Sequence, residues 1–142
     1  MKTFVKQSIN KLFAYFIIAS MLFVSCKRDN EVEPTLADQV VGTYDVSSIG
    51  QGGQTINLPA NGITGEYVIA KMTEDKVNVK FTIKNNGKIE DSGEENADLK
   101  KATDGSVEFY LSNVKVGNYT NKSVRFVFDD GSGDITIVAN KK

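Results

Sequence analysis

The sequence predicts an all-β domain, an antiparallel up-and-down meander that closes into a small barrel of about eight strands. Beyond Leu36, apolar residues recur at every second position, which is typical of strands with one buried face. Short turn sequences such as Asp104-Gly105 separate these segments, so that each link is hairpin-like. Closure into a barrel removes the free edges of such a sheet, and a β-sandwich is the alternative.

The alternation places the strands and their buried face along the chain. The segments 54–58 and 96–103 carry the weakest pattern, and Leu36 to Val40 is expected to form one short helical turn. The strands are predicted at 41–49, 54–58, 64–73, 76–84, 87–92, 96–103, 105–112 and 121–129, with 133–140 as a ninth. The residues predicted to face the core are Tyr44, Val46, Val68, Ala70, Met72, Val77, Val79, Phe81, Ile83, Val107, Phe109, Leu111, Val124, Phe126, Phe128, Ile135 and Ile137.

The turn at Asn85-Asn86-Gly87 predicts one register. A three-residue loop closed by Gly87 in the left-handed region pairs Ile83 with Ile89, and both stay on the core face. A two-residue turn would pair Lys84 with Ile89 and mix the two faces of the sheet.

Three further turns set the remaining registers. A two-residue turn is expected at each of the first two, and a four-residue loop at the third. The predicted pairs are Met72 with Val77 across Glu74-Asp75, Ala102 with Val107 across Asp104-Gly105, and Phe128 with Ile135 across residues 130–133.

The first 25 residues are typical of a secretory signal. Lysines at positions 2, 6 and 11 occur without any acid, and an apolar run follows from Leu12 to Val24. The run falls within the roughly 7–15 residues of a signal core and is shorter than the roughly 20 that span a bilayer. It ends at Ser25 and Cys26, so we expect a cleaved signal peptide over residues 1–25 and an exported protein.

The tetrapeptide Phe23-Val24-Ser25-Cys26 resembles the lipobox of bacterial lipoproteins, with Phe in place of the usual first Leu. The resemblance implies that Cys26 is lipidated and becomes the first residue of the mature chain. Residues 26–35 then form a flexible tether, since this charged stretch has little to pack. Its start also resembles the export signal of Bacteroidetes lipoproteins, which implies an outer-membrane anchor on the periplasmic or cell-surface face. A plain linker is the alternative.

The stretch Val41-Gly42-Thr43-Tyr44 resembles the opening strand of lipocalin-like domains, in which a Trp stands where Tyr44 stands here. The terminal GDITIVANKK is also similar to the last strand of small Bacteroidetes lipoproteins with such domains. The resemblance implies a lipocalin-like barrel over residues 36–142, with Gly42 and Tyr44 closing its base in a structural role.

The absence of histidine and the presence of one cysteine exclude most catalytic and metal chemistry. No Ser/His/Asp or Cys/His arrangement can form, and an internal disulfide needs a second cysteine. Carboxylate pairs such as Glu94-Glu95 lie at turns or in the polar stretch 90–98. The segment from Asp129 to Asp134 lacks the ligand spacing of an EF-hand, and no basic stripe indicates nucleic acid. We therefore expect no catalytic residues, metal, cofactor or nucleic-acid partner, and no enzyme activity.

Two functions remain open. The first is a lipid-anchored binding module that holds a small apolar ligand or an envelope partner, with Gly50 to Gln54 and Leu58 to Gly62 as candidate mouth loops. The second is a structural subunit, interaction protein or adhesin whose inward Phe side chains fill the core. Its outward apolar residues would be Tyr67, Ile69, Tyr110, Val127 and Val138. A lined cavity would favour the first function.

Overall fold

One short helix and nine strands make up the described chain. The computed structural model describes residues 32–129, 131 and 133–142, and the compact barrel unit spans Pro34–Lys142. The elements are α1 (Leu36–Val40), β1 (Gly42–Gln51), β2 (Gln54–Asn57), β3 (Ile63–Lys71), β4 (Lys76–Asn85), β5 (Lys88–Lys101), β6 (Val107–Leu111), β7 (Val114–Thr120), β8 (Ser123–Asp129) and β9 (Asp134–Lys141).

The strands form a closed antiparallel barrel, which confirms the predicted fold class and shows that the sandwich alternative is wrong. The sheet order is β2-β1-β3-β4-β5-β6-β7-β8-β9, and β9 also pairs with β1. Eight strands therefore form the ring. Strand β2 is additional: it pairs with Ser48–Gln51 of β1, whereas β3 pairs with Gly42–Asp45 of the same strand.

Helix α1 lies at one end of the barrel, called the base here. Thr35 and Asp38 form a capping box, in which each side chain accepts a hydrogen bond from the other's backbone N–H at 3.2 Å. Ala37 and Val40 are buried, and the Ala37 N–H donates to the Glu74 carbonyl between β3 and β4. The predicted helical turn at 36–40 is confirmed, and it packs on the base.

Apolar side chains fill the base half of the barrel. Every ring strand except β7 contributes buried apolar residues, and β7 contributes the buried Gly117. Of the residues predicted to face the core, eight are fully buried: Tyr44, Val46, Val77, Val107, Phe109, Val124, Phe126 and Ile137. Six others on the predicted face are half-buried: Val79, Phe81, Ile83, Leu111, Phe128 and Ile135.

The predicted face of β3 is wrong. Tyr67 and Ile69 are 3% and 1% exposed, whereas Val68 and Met72 are 38% and 52% exposed. Ala70 is also exposed. Both faces of this strand carry apolar residues, so the alternation itself could not decide which face is buried.

The turn between β3 and β4 determines which face of β3 is buried. Lys71 pairs with Val77, so the predicted pairing of Met72 with Val77 is wrong by one residue. The chain turns over three residues, and the Met72 N–H donates to the Lys76 carbonyl at 3.0 Å. A slip of one residue moves every side chain of a strand to the opposite face.

The hairpin between β4 and β5 also differs from the prediction. Asn86 and Gly87 form a two-residue turn, with φ angles of 48° and 81°, as in a type I′ turn. Asn85 pairs with Lys88, and the register then shifts between Lys84 and Ile83. This irregularity puts Ile83 opposite Asp91 and leaves Ile89 65% exposed, so the predicted pairing of Ile83 with Ile89 is wrong.

Two strand assignments are corrected in the middle of the chain. The predicted strands 87–92 and 96–103 are one continuous strand, β5, and strand β7 was missed. The loop after β5 is longer than predicted, because Lys101 rather than Ala102 pairs with Val107. The four-residue loop before β9 is confirmed by the pairing of Phe128 with Ile135.

Candidate functional site

The barrel wall is incomplete beside β5. This strand pairs with β4 over almost its whole length but with β6 only along Asp98–Lys101. The hairpin of β6 and β7 is short and turns at Ser112 and Asn113, which both have positive φ. Residues 88–97 therefore have no strand neighbour on the β6 side within the described part of the chain.

The other side of the same gap is formed by β8. Strand β7 pairs with β8 only along Ser123–Phe126, so residues 127–129 lie beyond the last β7–β8 pair. The gap between residues 88–97 and 127–129, above the β6–β7 hairpin, is called the wall opening below. It lies in the half of the barrel away from α1.

A cavity of about 380 Å³ lies at this wall opening. Its lining is almost wholly apolar and includes residues from both sides of the opening. The lining residues are Tyr67, Val79, Phe81, Gly93, Glu94, Glu95, Ala97, Leu111, Val116, Phe126, Phe128, Ile135 and Ile137.

Small residues on β5 leave this space empty. Gly93 lies opposite Phe81, and a Cβ atom placed on Gly93 would have nothing within 4 Å. Ala97 lies opposite Val77 and is buried. The β5 segment from 90 to 98 is a polar stretch, and its sequence pattern does not indicate that it lines a cavity.

Aromatic rings form much of the cavity wall. The ring centroids of Tyr67 and Phe81 are 5.0 Å apart, and those of Tyr67 and Phe126 are also 5.0 Å apart. Phe126 and Phe128 stack at 6.0 Å. Burial raises the pKa of Tyr67 above its usual range, so its phenol stays neutral. These inward rings line the cavity instead of filling it.

The charges of the lining are carboxylates. Glu95 lies opposite Val79 and shares the inward phase of β5 with the buried Ala97 and Leu99. Among the described residues, no hydrogen bond or ion pair involves its side chain. Glu94, the preceding residue, belongs to the outward-facing set of β5, and its Oε1 accepts a hydrogen bond of 2.9 Å from Asn78 Nδ2. Among the residues that the structure describes, no lysine or arginine lines the cavity.

Gly42 and Tyr44 lie at the base, far along β1 from the wall opening. Gly42 follows α1 and pairs with Ile69. Tyr44 is fully buried, and its hydroxyl donates a 2.5 Å hydrogen bond to the Val40 carbonyl. Its ring meets that of Tyr119 edge-on at 6.4 Å.

The two candidate mouth loops do not line the cavity. The turn at Gly50 to Gln54 borders a separate polar groove of about 350 Å³ that includes Arg125 and Asp134. The loop from Leu58 to Gly62 ends against the β4–β5 turn, where the Asn86 N–H donates to the Gly62 carbonyl at 2.8 Å.

The predicted lipidation site Cys26 and the predicted signal peptide 1–25 lie outside the described residues. Within the described residues, none of the helices combines the length and the apolar character that crossing a membrane requires. In the same part of the chain, no three His, Cys, Asp or Glu side chains are grouped so that they could hold a metal ion.

Comparison with known proteins gives evidence on the fold. No protein-family profile and no curated protein matches the chain. A solved structure of a redesigned β-barrel is similar, with a TM-score of 0.50 and 17% sequence identity over 78% of this chain and 97% of that one. At this identity the similarity shows the fold alone. The protein is a closed, eight-stranded, antiparallel β-barrel with one additional strand.

Proposed function

We propose that this protein is a lipid-anchored lipoprotein of the bacterial cell envelope whose barrel binds a small apolar ligand. The observation that carries the binding function is the apolar cavity of about 380 Å³ at the wall opening. Its volume lies in the range of roughly 300–1,000 Å³ that is usual for ligand sites, which are also mainly apolar.

The expected affinity follows from burial of the ligand. Each buried methylene contributes about 0.8 kcal/mol, so a chain of about eight methylenes gains about 6 kcal/mol. That free energy corresponds to a Kd on the order of 10–100 μM before ordering costs. The cavity supports moderate affinity for many apolar molecules, and polar groups at its edge would supply the preference among them.

The anchor is proposed from the sequence. Lipidation of Cys26 would attach more than one acyl chain, which is what stable anchoring requires. The tether that follows Cys26 joins the barrel at Thr35, beside α1, whereas the wall opening lies in the other half of the barrel.

A paired substitution tests the binding function. Gly93→Leu adds a side chain where the cavity is empty, and Ala70→Leu adds the same side chain on the exposed outer face of β3. Residues 27–142 suit this test, because all described strand pairings and buried residues lie within Pro34–Lys142. The probe is the apolar dye N-phenyl-1-naphthylamine, whose fluorescence rises in apolar surroundings.

We expect saturable dye binding by the unsubstituted protein and by Ala70→Leu, and loss of most of that binding in Gly93→Leu. Circular dichroism and thermal unfolding would check that both variants fold. Equal dye binding by a folded Gly93→Leu and by the unsubstituted protein would contradict binding in this cavity.

A second experiment tests the anchor. The full chain and its Cys26→Ala variant are expressed in a bacterium grown with an alkyne-tagged fatty acid. We expect the tag on the unsubstituted protein and not on Cys26→Ala. A tag that persists on the variant, or a mature chain that begins elsewhere than Cys26, would contradict lipidation at this residue.

The alternative function, an interaction subunit or adhesin with a filled core, has less support. Tyr67 and Ile69, which were to form part of its sticky outer face, are buried. This alternative also predicted that Phe side chains fill the core, but a cavity lies in the half of the barrel beside the wall opening.

A further inference from the structure

We infer that the cavity prefers apolar ligands that carry a positively charged nitrogen, as amphiphilic amines and quaternary ammonium compounds do, and that Glu95 binds this group. The inference rests on the function proposed above, because it names the chemical class of the ligand of the same cavity. It is argued from the position of Glu95, from the charges around it and from the polarity of the rest of the lining.

The position of Glu95 suits a ligand head group. Side chains on a strand alternate between its two faces, and Ala97 and Leu99 on β5 are buried in the core. Glu95 therefore belongs to the inward set and lines the cavity opposite Val79. It is also exposed, so its carboxylate lies at the edge of the cavity with access to water. An apolar chain inside the cavity would place its head group at this edge.

The charges near the wall opening favour a cation. Acidic residues on β5 include Glu90 and Asp91. On the opposite side, Asp129 is the last residue of β8 and Asp134 is the first residue of β9. Lys88 lies at the start of β5 opposite Asn85, seven residues from Glu95. Two other basic residues nearby face outward or have a partner. Lys80 lies opposite Glu94 on the outer face of β4, and Lys115 forms an ion pair with Glu108.

The rest of the lining gives an anionic head group no partner. A carboxylate or phosphate binds through arginine, lysine or several aligned N–H donors, and none of the described basic residues lines this cavity. A fatty acid would place its carboxylate near that of Glu95, and like charges at close range repel. A protonated ligand amine at the same place would gain a charge-assisted hydrogen bond to Glu95, and a quaternary ammonium group, which has no N–H, would gain the attraction of opposite charges alone.

A different role for Glu95 is protection of a strand edge. Within the described ranges, residues 88–97 form a free edge, and inward-pointing charges on such strands prevent pairing with other chains. This role predicts that removal of the charge causes self-association and leaves ligand preference unchanged. The experiment must therefore measure both properties.

The test uses three ligands with one alkyl chain: dodecyltrimethylammonium, dodecanol and dodecanoate, each below its micelle concentration. Displacement of the bound dye gives the three affinities for the unsubstituted protein, for Glu95→Gln and for the matched control Glu74→Gln, an exposed Glu at the base of the barrel. Analytical ultracentrifugation measures the association state of each protein.

We expect the unsubstituted protein to bind the cation about tenfold more tightly than dodecanoate, with dodecanol between them. Glu95→Gln should weaken binding of the cation about fivefold, the upper range for one exposed ion pair, and leave dodecanol unchanged. Glu74→Gln should retain the preference, because Glu74 lies in the β3–β4 turn at the base and does not line the cavity.

Three results would overturn the inference. If dodecanol binds and the cation binds no more tightly, the apolar-ligand function stands and the head-group preference is wrong. If Glu95→Gln keeps the preference and self-associates, the carboxylate protects the strand edge. If none of the three ligands displaces the dye and the dye itself does not bind, the proposed function fails together with this inference.

Discussion

The Tyr44 hydroxyl donates a hydrogen bond of 2.5 Å to the carbonyl oxygen of Val40, and both residues are fully buried. The last carbonyl groups of a helix have no partner within the helix, and a buried carbonyl without a partner is costly. Tyr44 supplies the missing donor at the end of α1. This single bond links the helix that closes the base to the first strand of the barrel.

Removal of this bond should destabilise the barrel. Tyr44→Phe keeps the ring but leaves the Val40 carbonyl without a donor, so we expect the free energy of unfolding to fall by about 1–3 kcal/mol. Urea denaturation followed by circular dichroism measures the change. Tyr110→Phe is a control, because its hydroxyl donates to the surface residue Glu108 and its loss should cost less. Equal effects of the two substitutions would contradict a special role for Tyr44.

The barrel should lose stability in alkali. Burial raises the pKa of both Tyr44 and Tyr67 above the usual range, and the nearby Tyr119 adds a smaller contribution at Tyr44. Tyrosines in the unfolded chain ionise near pH ~10. The stability that the neutral phenols contribute is therefore present below that pH and is lost as the pH rises above it.

Tyrosinate absorbance, recorded together with circular dichroism, checks the alkaline prediction. We expect Tyr44 and Tyr67 to ionise only as the barrel unfolds, and Tyr67→Phe to shift the unfolding to higher pH. Complete ionisation of all tyrosines before any loss of structure would show that the prediction is wrong.

Acid should weaken the attachment of α1. The pKa of Asp38 is lowered to about 2, chiefly by a hydrogen bond from Lys71 at 2.7 Å and then by one from Thr35. Because the folded pKa lies below the ordinary value, this contribution to stability is present above pH ~4 and is lost as the pH falls toward 2. Asp38→Asn should therefore lower the urea midpoint at pH 7 and have little effect near pH 2.

The variant Lys71→Met is the matched control for Asp38→Asn. It removes the largest cause of the lowered pKa, so loss of stability should begin at a higher pH than in the unsubstituted protein. An effect of Asp38→Asn that is the same at both pH values would indicate loss of the helix cap alone.

Substitution by alanine should affect stability at one glycine and have little effect at another. A Cβ atom on Gly117 would lie 2.5 Å from the Arg125 carbonyl oxygen and 2.6 Å from Phe126 Cδ1, whereas one on Gly93 meets nothing within 4 Å. We expect Gly117→Ala to cost about 1–3 kcal/mol of unfolding free energy because the backbone must move. Gly93→Ala should stay within ~0.5 kcal/mol. Thermal unfolding compares the two, and a comparable loss in both would contradict the open space beside Gly93.

The fold class and several local details follow from the sequence alone. One-sided alternation around Phe109 and Phe126 requires strands with a single buried face, and short turns require antiparallel neighbours. The loop that pairs Phe128 with Ile135 was predictable because its length alone keeps both residues on the core face. These features depend on residues that are close together in the chain.

The tertiary structure decided the face of β3, the continuity of β5 and the cavity. Apolar residues on both faces of β3 made its burial depend on a one-residue difference in a turn. The cavity depends on Gly93 facing Phe81 and on the β6–β7 hairpin ending before β5 does. These are relations between strands that are brought together only when the barrel closes, and no local pattern encodes them.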